Sequence, residues 1–346
     1  MAYTTINKST DYFNTKLYTG NNGTQSITGV GHQPDLIWVK ARNDTANHTL
    51  TDAVRGTNSV LYSNQNQGID APTNAITSFD SDGFSVGNNG SFNANSINYV
   101  SWNWKANGAG SANTTGSINT TATSVNTTAG FSICKWTGNG SAGATVGHGL
   151  GSAPKVVITK RYDGGTNNWV VGHGAIGFTK VIYLNTTAGS ASDSGSWNNT
   201  APSSTVFTVG SNNESNGNGY EFISYCFVEK TGYSKFGSYT GNGNANGPFI
   251  FTGFKPAFVL IRNIENSSDD WQIFDNKRAN TFNPADKMLQ ANLNNAEGTS
   301  AIDLLSNGFK IKASSGFMNR SGETMIYMAF ASAPLVGTNN IPATAR

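Results

Sequence analysis

The sequence predicts an all-β protein made of three tandem β-sandwich domains of similar, jelly-roll-like fold. Three observations carry this. One block order is written three times, each copy closes on residues alternating with period two, and no segment sustains a helical period. At 346 residues the chain is also too long for one ordinary core.

The first copy opens at "FNTKLYTGNNG" from Phe13, the second at "FSICKWTGNG" from Phe131 and the third at "FGSYTGNG" from Phe236. A glycine-asparagine cluster such as Gly138–Gly140 invites comparison with a phosphate-cradling loop. That reading needs a helix start and a Lys with Ser/Thr behind it, and "SAGATVGHGLGSAP" supplies neither. Triplication after an aromatic instead marks a turn between strands, because Gly and Asn tolerate positive φ. Next comes a glycine three residues before a proline, then an apolar strand ending in a cation: "GHQPDLIWVK", "GSAPKVVITK", "GFKPAFVLIR". Pro34, Pro154 and Pro256 are 120 and 102 residues apart, and Lys40, Lys160 and Arg262 each follow six residues later. Both faces of this strand are apolar, as in Leu36 and Trp38 against Ile37 and Val39, which predicts a strand interior to the sandwich.

"HTLTD", "WVVGH" and "WQIFD" follow, then "SVLYSN", "KVIYLN" and "KMLQAN", then "DGFSVG", "TVFTVG" and "NGFKIK". The closing rows are Val100, Trp102 and Trp104; Ile223, Tyr225 and Phe227; Ile326, Met328 and Phe330. Each row should occupy one sheet face. Roughly 100 residues with six or seven strands per copy is the size of a β-sandwich. The predicted boundaries are an N-terminal arm 1–10, repeats 11–108, 129–231 and 232–333, and a C-terminal arm 334–346. Residues 109–128, rich in Ser, Thr, Asn and Gly, read as a flexible linker or a weak added strand. Three sandwiches make either an elongated arm or a compact pseudo-threefold body, and this linker favours the arm.

With 12% charged residues and a net charge of +2, there is no basic stripe for nucleic acid. No apolar run approaches the roughly 20 residues that cross a bilayer, and "MAYTTINKST" lacks a signal-peptide pattern, so synthesis and folding in a cytoplasm are expected. Cys134 and Cys226 sit in apolar strands and read as buried free thiols, with a disulfide between them left open.

Candidate chemistry is sparse. His32, His48, His148 and His173 show no metal-ligand spacing, so no metal or cofactor is expected. His32 and His148 read as solvated turn residues. His173 falls where Asp52 and Asp275 stand in the other copies, a structural slot. Those acids could meet the strand-end cations across a hairpin, pairing Lys40 with Asp52 and Arg262 with Asp275, worth at most about 1 kcal/mol each if exposed. Asp80 and Asp82 are the nearest approach to a glycosidase pair, but Ser203 and Ser204, or Leu305 and Asn307, replace them elsewhere. No nucleophile elbow occurs. No catalytic residue is therefore assigned, and the protein is expected not to be an enzyme. For sugar recognition the candidate loops are "GNNGSFNAN" around Phe92, "SGSWNN" around Trp197 and "SSGFMNRSG" around Phe317, each one aromatic among polar residues. The competing expectation is that the aromatic folds back over the sandwich end.

The aromatic-Thr-Gly-Asn turn, the Gly-x-x-Pro strand, "ITSFDSDGFSVG" and "INYVSWNWKANG" resemble a repeat domain of marine bacteriophage virion structural and tail-fibre-like proteins. Residues 10–108 match that pattern well, and the later copies more loosely. The resemblance implies a tail fibre, appendage or capsid decoration protein that contacts other virion proteins and assembles in the host cytoplasm. By analogy it implies a homo-oligomer, trimers included. It carries over no catalytic residue. The alternative expectation is an adhesin for host surface glycan, and behind it a glycan depolymerase.

Overall fold

Residues 3–279, 283–314 and 316–336 are described by the computed structural model. The first copy contributes β1 (Phe13–Thr19), β2 (Gln25–Thr28), β3 (Leu36–Ala41), β4 (Thr49–Asp52), β5 (Leu61–Tyr62), β6 (Ile76–Asp80), β7 (Gly83–Val86), the single turn α1 (Gly90–Asn93) and β8 (Asn98–Trp104). Then come β9 (Ser111–Asn113) and β10 (Thr120–Asn126). The second copy gives β11 (Phe131–Thr137), β12 (Ala144–Gly147), β13 (Val156–Arg161), β14 (Val170–His173), β15 (Lys180–Tyr183), β16 (Ala191–Ser192), α2 (Ser194–Trp197), β17 (Val206–Val209), α3 (Asn213–Asn216) and β18 (Glu221–Phe227). The third gives β19 (Ser234–Thr240), β20 (Phe249–Phe251), β21 (Phe254–Asn263), β22 (Gln272–Asp275), β23 (Ala285–Gln290), β24 (Gly298–Leu305), β25 (Gly308–Ile311), α4 (Gly316–Asn319) and β26 (Thr324–Pro334).

The protein is all-β, and one strand order recurs. The long sheet runs β1-β8-β3-β4-β5 in the first copy, β11-β18-β13-β14-β15 in the second and β19-β26-β21-β22-β23 in the third. Short sheets β2-β7-β6 and β12-β17 accompany the first two, whereas pairing of β23 with β24 merges both sheets of the third into one of eight strands. Register repeats as well: Leu36, Val156 and Phe258, each two residues after its proline, face Trp104, Phe227 and Phe330. Residues 109–128 supply β9 and β10, and β10 pairs with β11, so this segment is the added strand of the two readings its composition allowed.

Period two explains the packing, because alternate side chains of a strand leave on opposite faces. Ile37 and Val39, Val157, and Val259 and Ile261 each enter the core of their own copy. Their neighbours Leu36, Trp38, Val156, Ile158, Phe258 and Leu260 enter one core common to all three copies. All nine residues of the closing rows lie in that common core. At its centre Phe330 stacks on Phe13 at 5.3 Å and stands 5.6 Å from Trp104 and 5.8 Å from Phe227, so rings from three copies meet. A void of about 20 Å³ with an apolar lining remains there, which includes Leu36, Ile158 and Phe330. Ile6 of the N-terminal arm is buried in the same core, and the Tyr3 hydroxyl donates to the Gly253 carbonyl at 2.8 Å.

This corrects the expectation of an elongated arm. The first copy touches both others: Trp169 Nε1 donates to the Tyr62 carbonyl at 2.9 Å, and Ser63 Oγ donates to the Ala291 carbonyl at 2.6 Å. Trp271 Nε1 closes the ring by donating to the Tyr183 carbonyl at 2.9 Å. Large apolar rows on the outward sheet faces leave no soluble alternative to mutual burial.

Because one core serves all three copies, Phe330→Ala should cost about 3–5 kcal/mol. Denaturant unfolding should show a single transition, shifted as a whole. A second transition at the unsubstituted midpoint would contradict a shared core.

Candidate functional site

The triplicate turn is held by a residue that sequence reading passed over. Asn93, Asn216 and Asn319 close the single turns α1, α3 and α4 and are fully buried. Each Oδ1 accepts from the backbone N–H of the turn asparagine, from Asn21 at 2.9 Å, Asn139 at 3.0 Å and Asn242 at 2.9 Å. Each Nδ2 donates three times; for Asn216 the acceptors are Asn139 Oδ1, the Ser141 carbonyl and the Gly210 carbonyl at 2.9–3.1 Å. Gly20, Gly138 and Gly241 are obligatory beside them, since a Cβ would strike the carbonyl oxygens of Ala94, Gly217 and Arg320. A signal was available: each asparagine stands nine residues before Trp102, Tyr225 or Met328 of its copy. The turn is therefore architecture, as its sequence suggests.

The slot of Asp52, His173 and Asp275 is where copies lock together. Asp52 Oδ2 accepts from Arg55 Nε at 2.6 Å and from the Tyr225 hydroxyl of the second copy at 2.8 Å. Asp275 Oδ2 accepts from Arg278 Nε at 2.5 Å and from Trp102 Nε1 of the first copy at 3.0 Å. In the second copy Ile176 stands where Arg55 and Arg278 do, and the facing position holds Met328, which has no donor. An aspartate there would be a buried, unpaired charge. His173 solves this: its Nδ1 accepts from the Ala175 N–H at 3.1 Å, leaving Nε2–H to donate to the Tyr327 carbonyl at 3.2 Å. Burial holds this imidazole down to about 4, so it is neutral.

The expected pairs Lys40–Asp52 and Arg262–Asp275 do not form. In the β3–β4 register Leu36 faces Asp52 and Val39 faces Thr49, which puts Lys40 at the far end of the hairpin, four residues or roughly 13 Å away. Lys40, Lys160 and Arg262 are fully buried instead and donate to backbone carbonyls. Lys160 Nζ reaches Asn167 at 2.6 Å and, across the copy boundary, Asn66 at 2.9 Å. Arg262 Nη2 reaches Ala188 of the second copy at 2.9 Å, and Lys40 Nζ stays within its own copy on Ala41 at 2.6 Å. Burial pushes Lys40 down to about 8, Lys160 to about 7 and Arg262 to about 10, against the opposing pull of Asp44, Glu214 and Asp269 respectively.

His32 and His148, expected in solvent, are buried. His32 Nδ1 lies 2.8 Å from the Thr10 carbonyl, and His148 bridges the Leu150 N–H at 3.1 Å and the Ser203 carbonyl at 3.2 Å. The turns before the prolines fold down onto the sheet, which their polar sequence conceals. His48 Nδ1 accepts from Trp38 Nε1 at 2.9 Å; the Gln290 carbonyl opposes its depressed pKa without making a hydrogen bond of ordinary geometry to Nε2. Burial lowers all four imidazoles, His32 to about 4. Asp82 caps a turn by accepting from Gly31 and Gly29 N–H, and Asp80 accepts from Ser78 and Ser85 hydroxyls. Cys134 and Cys226 are buried free thiols. Among the described residues no three His, Cys, Asp or Glu converge as metal ligands, and no helix is long and apolar enough to cross a membrane.

Of the three sugar-loop aromatics, Phe92 and Trp197 fold back into the cores of their copies, at 1% and 0% exposure. Phe317 is 40% exposed and borders an open cleft in the third copy.

These contacts define a closed all-β body in which charged and aromatic side chains tie three copies to one another. The chain belongs to the family described as Domain of unknown function (DUF7483), whose model matches residues 8–334 and so spans all three copies. No curated protein and no solved structure matches it.

Two outcomes test the lock. His173→Asp should cost at least about 3 kcal/mol, and adding Ile176→Arg with Met328→Tyr should recover most of it; a urea series showing no recovery would uncouple slot from partner. For acid, the unfolded chain protonates its histidines near 6.5 while His32 and His173 hold out to about 4, so stability present above pH 6.5 is lost as pH falls from 6.5 to 4. Each contributes roughly 3 kcal/mol to that fall by linkage. His173→Gln, which keeps an uncharged donor and acceptor in the slot, should remove about half of this fall in the curve of urea midpoint against pH, His32 supplying the rest.

Proposed function

We propose that the chain is three copies of one jelly-roll-like β-sandwich, residues 11–108, 129–231 and 232–333, and that it is a non-enzymatic structural protein on the exterior of a bacteriophage virion. The observation carrying this is where the chemistry-bearing residues go. Asp52, Arg55, His173, Asp275, Arg278, Lys160 and Arg262 are spent on contacts that hold the body shut, and Lys40 is spent on a carbonyl of its own copy. The sequence resemblance to tail-fibre-like repeats supplies the setting, in which other virion proteins are the partners, a homo-oligomer such as a trimer is the assembled form, and assembly occurs in the host cytoplasm. A charged fraction of only 12% and free thiols in place of a disulfide suit a particle surface in concentrated salt, where exposed pairs are screened.

A second reading, recognition of host surface glycan, is favoured by one observation: Phe317, 40% exposed, lines a pocket in the third copy.

Gold-labelled antibody against the purified chain should decorate the outer face of intact phage particles produced by the host that makes it. Label confined to cell debris, with clean particles, would remove the virion reading.

A further inference from the structure

The third copy departs from the repeat in one region. Gln272 on β22 replaces Thr49 and Val170 of the other copies, Met288 on β23 replaces Val60 and Val181, and Phe317 on α4 replaces Ser91 and Glu214. Val60, Val170 and Val181 are buried in the cores of their copies. In the third copy the longer Gln272 and Met288 side chains border a pocket. An inner pocket of about 100 Å³ is lined by Gln272, Met288, Thr299, Ser300, Phe317 and Met318. Thr299 and Ser300 also line an outer cleft of about 580 Å³, whose other walls include Asp286, Lys312 and Ser314. The outer cleft alone lies in the range of about 300–1,000 Å³ typical of ligand sites.

Two buried acceptors of this region are unpaired, whereas Lys312 Nζ stands 3.8 Å from Asp303 Oδ2 and Asp286 Oδ2 stands 3.9 Å from Lys287 Nζ. Gln272 is fully buried, its Nε2 donates to the Asp270 carbonyl at 3.4 Å, and its Oε1 has no hydrogen-bond partner. Asp286 Oδ1 is likewise buried without a partner. Buried acceptors left unpaired carry a desolvation cost that a ligand donor recovers. Two acceptors, three hydroxyl side chains, one ammonium and a half-exposed aromatic ring describe a ligand with several hydroxyls and an apolar face. Asp286 disfavours an anion.

The geometry points to a binding site for a neutral pyranose-containing glycan in this cleft, with Gln272 Oε1 and Asp286 Oδ1 accepting from sugar hydroxyls, Lys312 and the Thr299 and Ser300 hydroxyls donating, and Phe317 against the sugar C–H face. This deepens the recognition reading above and rests on it. The groove beside Phe251, 58% exposed and lined by Tyr3, Glu229 and Lys235, is the rival, but it holds no unpartnered buried acceptor.

The full chain on an array of neutral and charged glycans, followed by titration of retained free glycans, tests this. At least one neutral glycan should be retained, and Phe317→Ala and Gln272→Val should each weaken it tenfold or more. Phe251→Ala should leave it unchanged. Phe317 is exposed enough for its loss to spare the fold, and unchanged urea midpoints would verify that. Retention that survives both substitutions, or that Phe251→Ala abolishes, overturns the site while glycan recognition stands. Failure of the unsubstituted chain to retain any glycan overturns the site and the recognition reading together.

Discussion

The constraint on which the molecule depends is that the long sheet of each copy is buried on both faces. One face seals the copy's own core, and the other contributes to a core no copy can fill alone. Aromatic rings from three copies meet around Phe330, and the apolar area there drives association without directing it. Direction comes from the polar groups that double burial traps. A cation at the end of such a strand has no route to water, so Lys40, Lys160 and Arg262 turn to backbone carbonyls, and two of them find carbonyls of a neighbouring copy.

The arrangement is heterologous and closed, with each copy presenting its slot to the closing strand of another. Slot, cation and facing residue change as a set: Asp52 with Arg55 and Tyr225, Asp275 with Arg278 and Trp102, His173 with Ile176 and Met328. A buried ion pair gains little over a well-packed neutral arrangement, but half of one is costly. A neutral histidine that accepts from its own turn and donates across the boundary meets the same need with no net charge. The three interfaces are thereby distinguishable, which opposes cyclic misassembly of similar copies.

Symmetry is also broken where the third copy merges its sheets through β23 and β24. The longer strands close the barrel-like wall on one side, and Gln272 and Met288 line a pocket together with Phe317 and Met318 of α4. The third copy thus keeps a cleft and an inner pocket where two buried acceptors, Gln272 Oε1 and Asp286 Oδ1, have no partner.

What the sequence determined by itself was the local part. Triplication, the proline strands, the period-two rows and the glycine-asparagine turns were legible because alternation and positive-φ chemistry are carried by consecutive residues. Even Asn93, Asn216 and Asn319 were within reach through their constant spacing to the closing strands. Tertiary structure alone decided which faces meet. Lys40 and Asp52 are separated by a register that no composition reports, and His32 and His148 are buried by turns folding onto a distant sheet. The ring replaced the arm because the rows of Trp102, Tyr225 and Met328 satisfy one another only across copies, more than 100 residues apart in the chain.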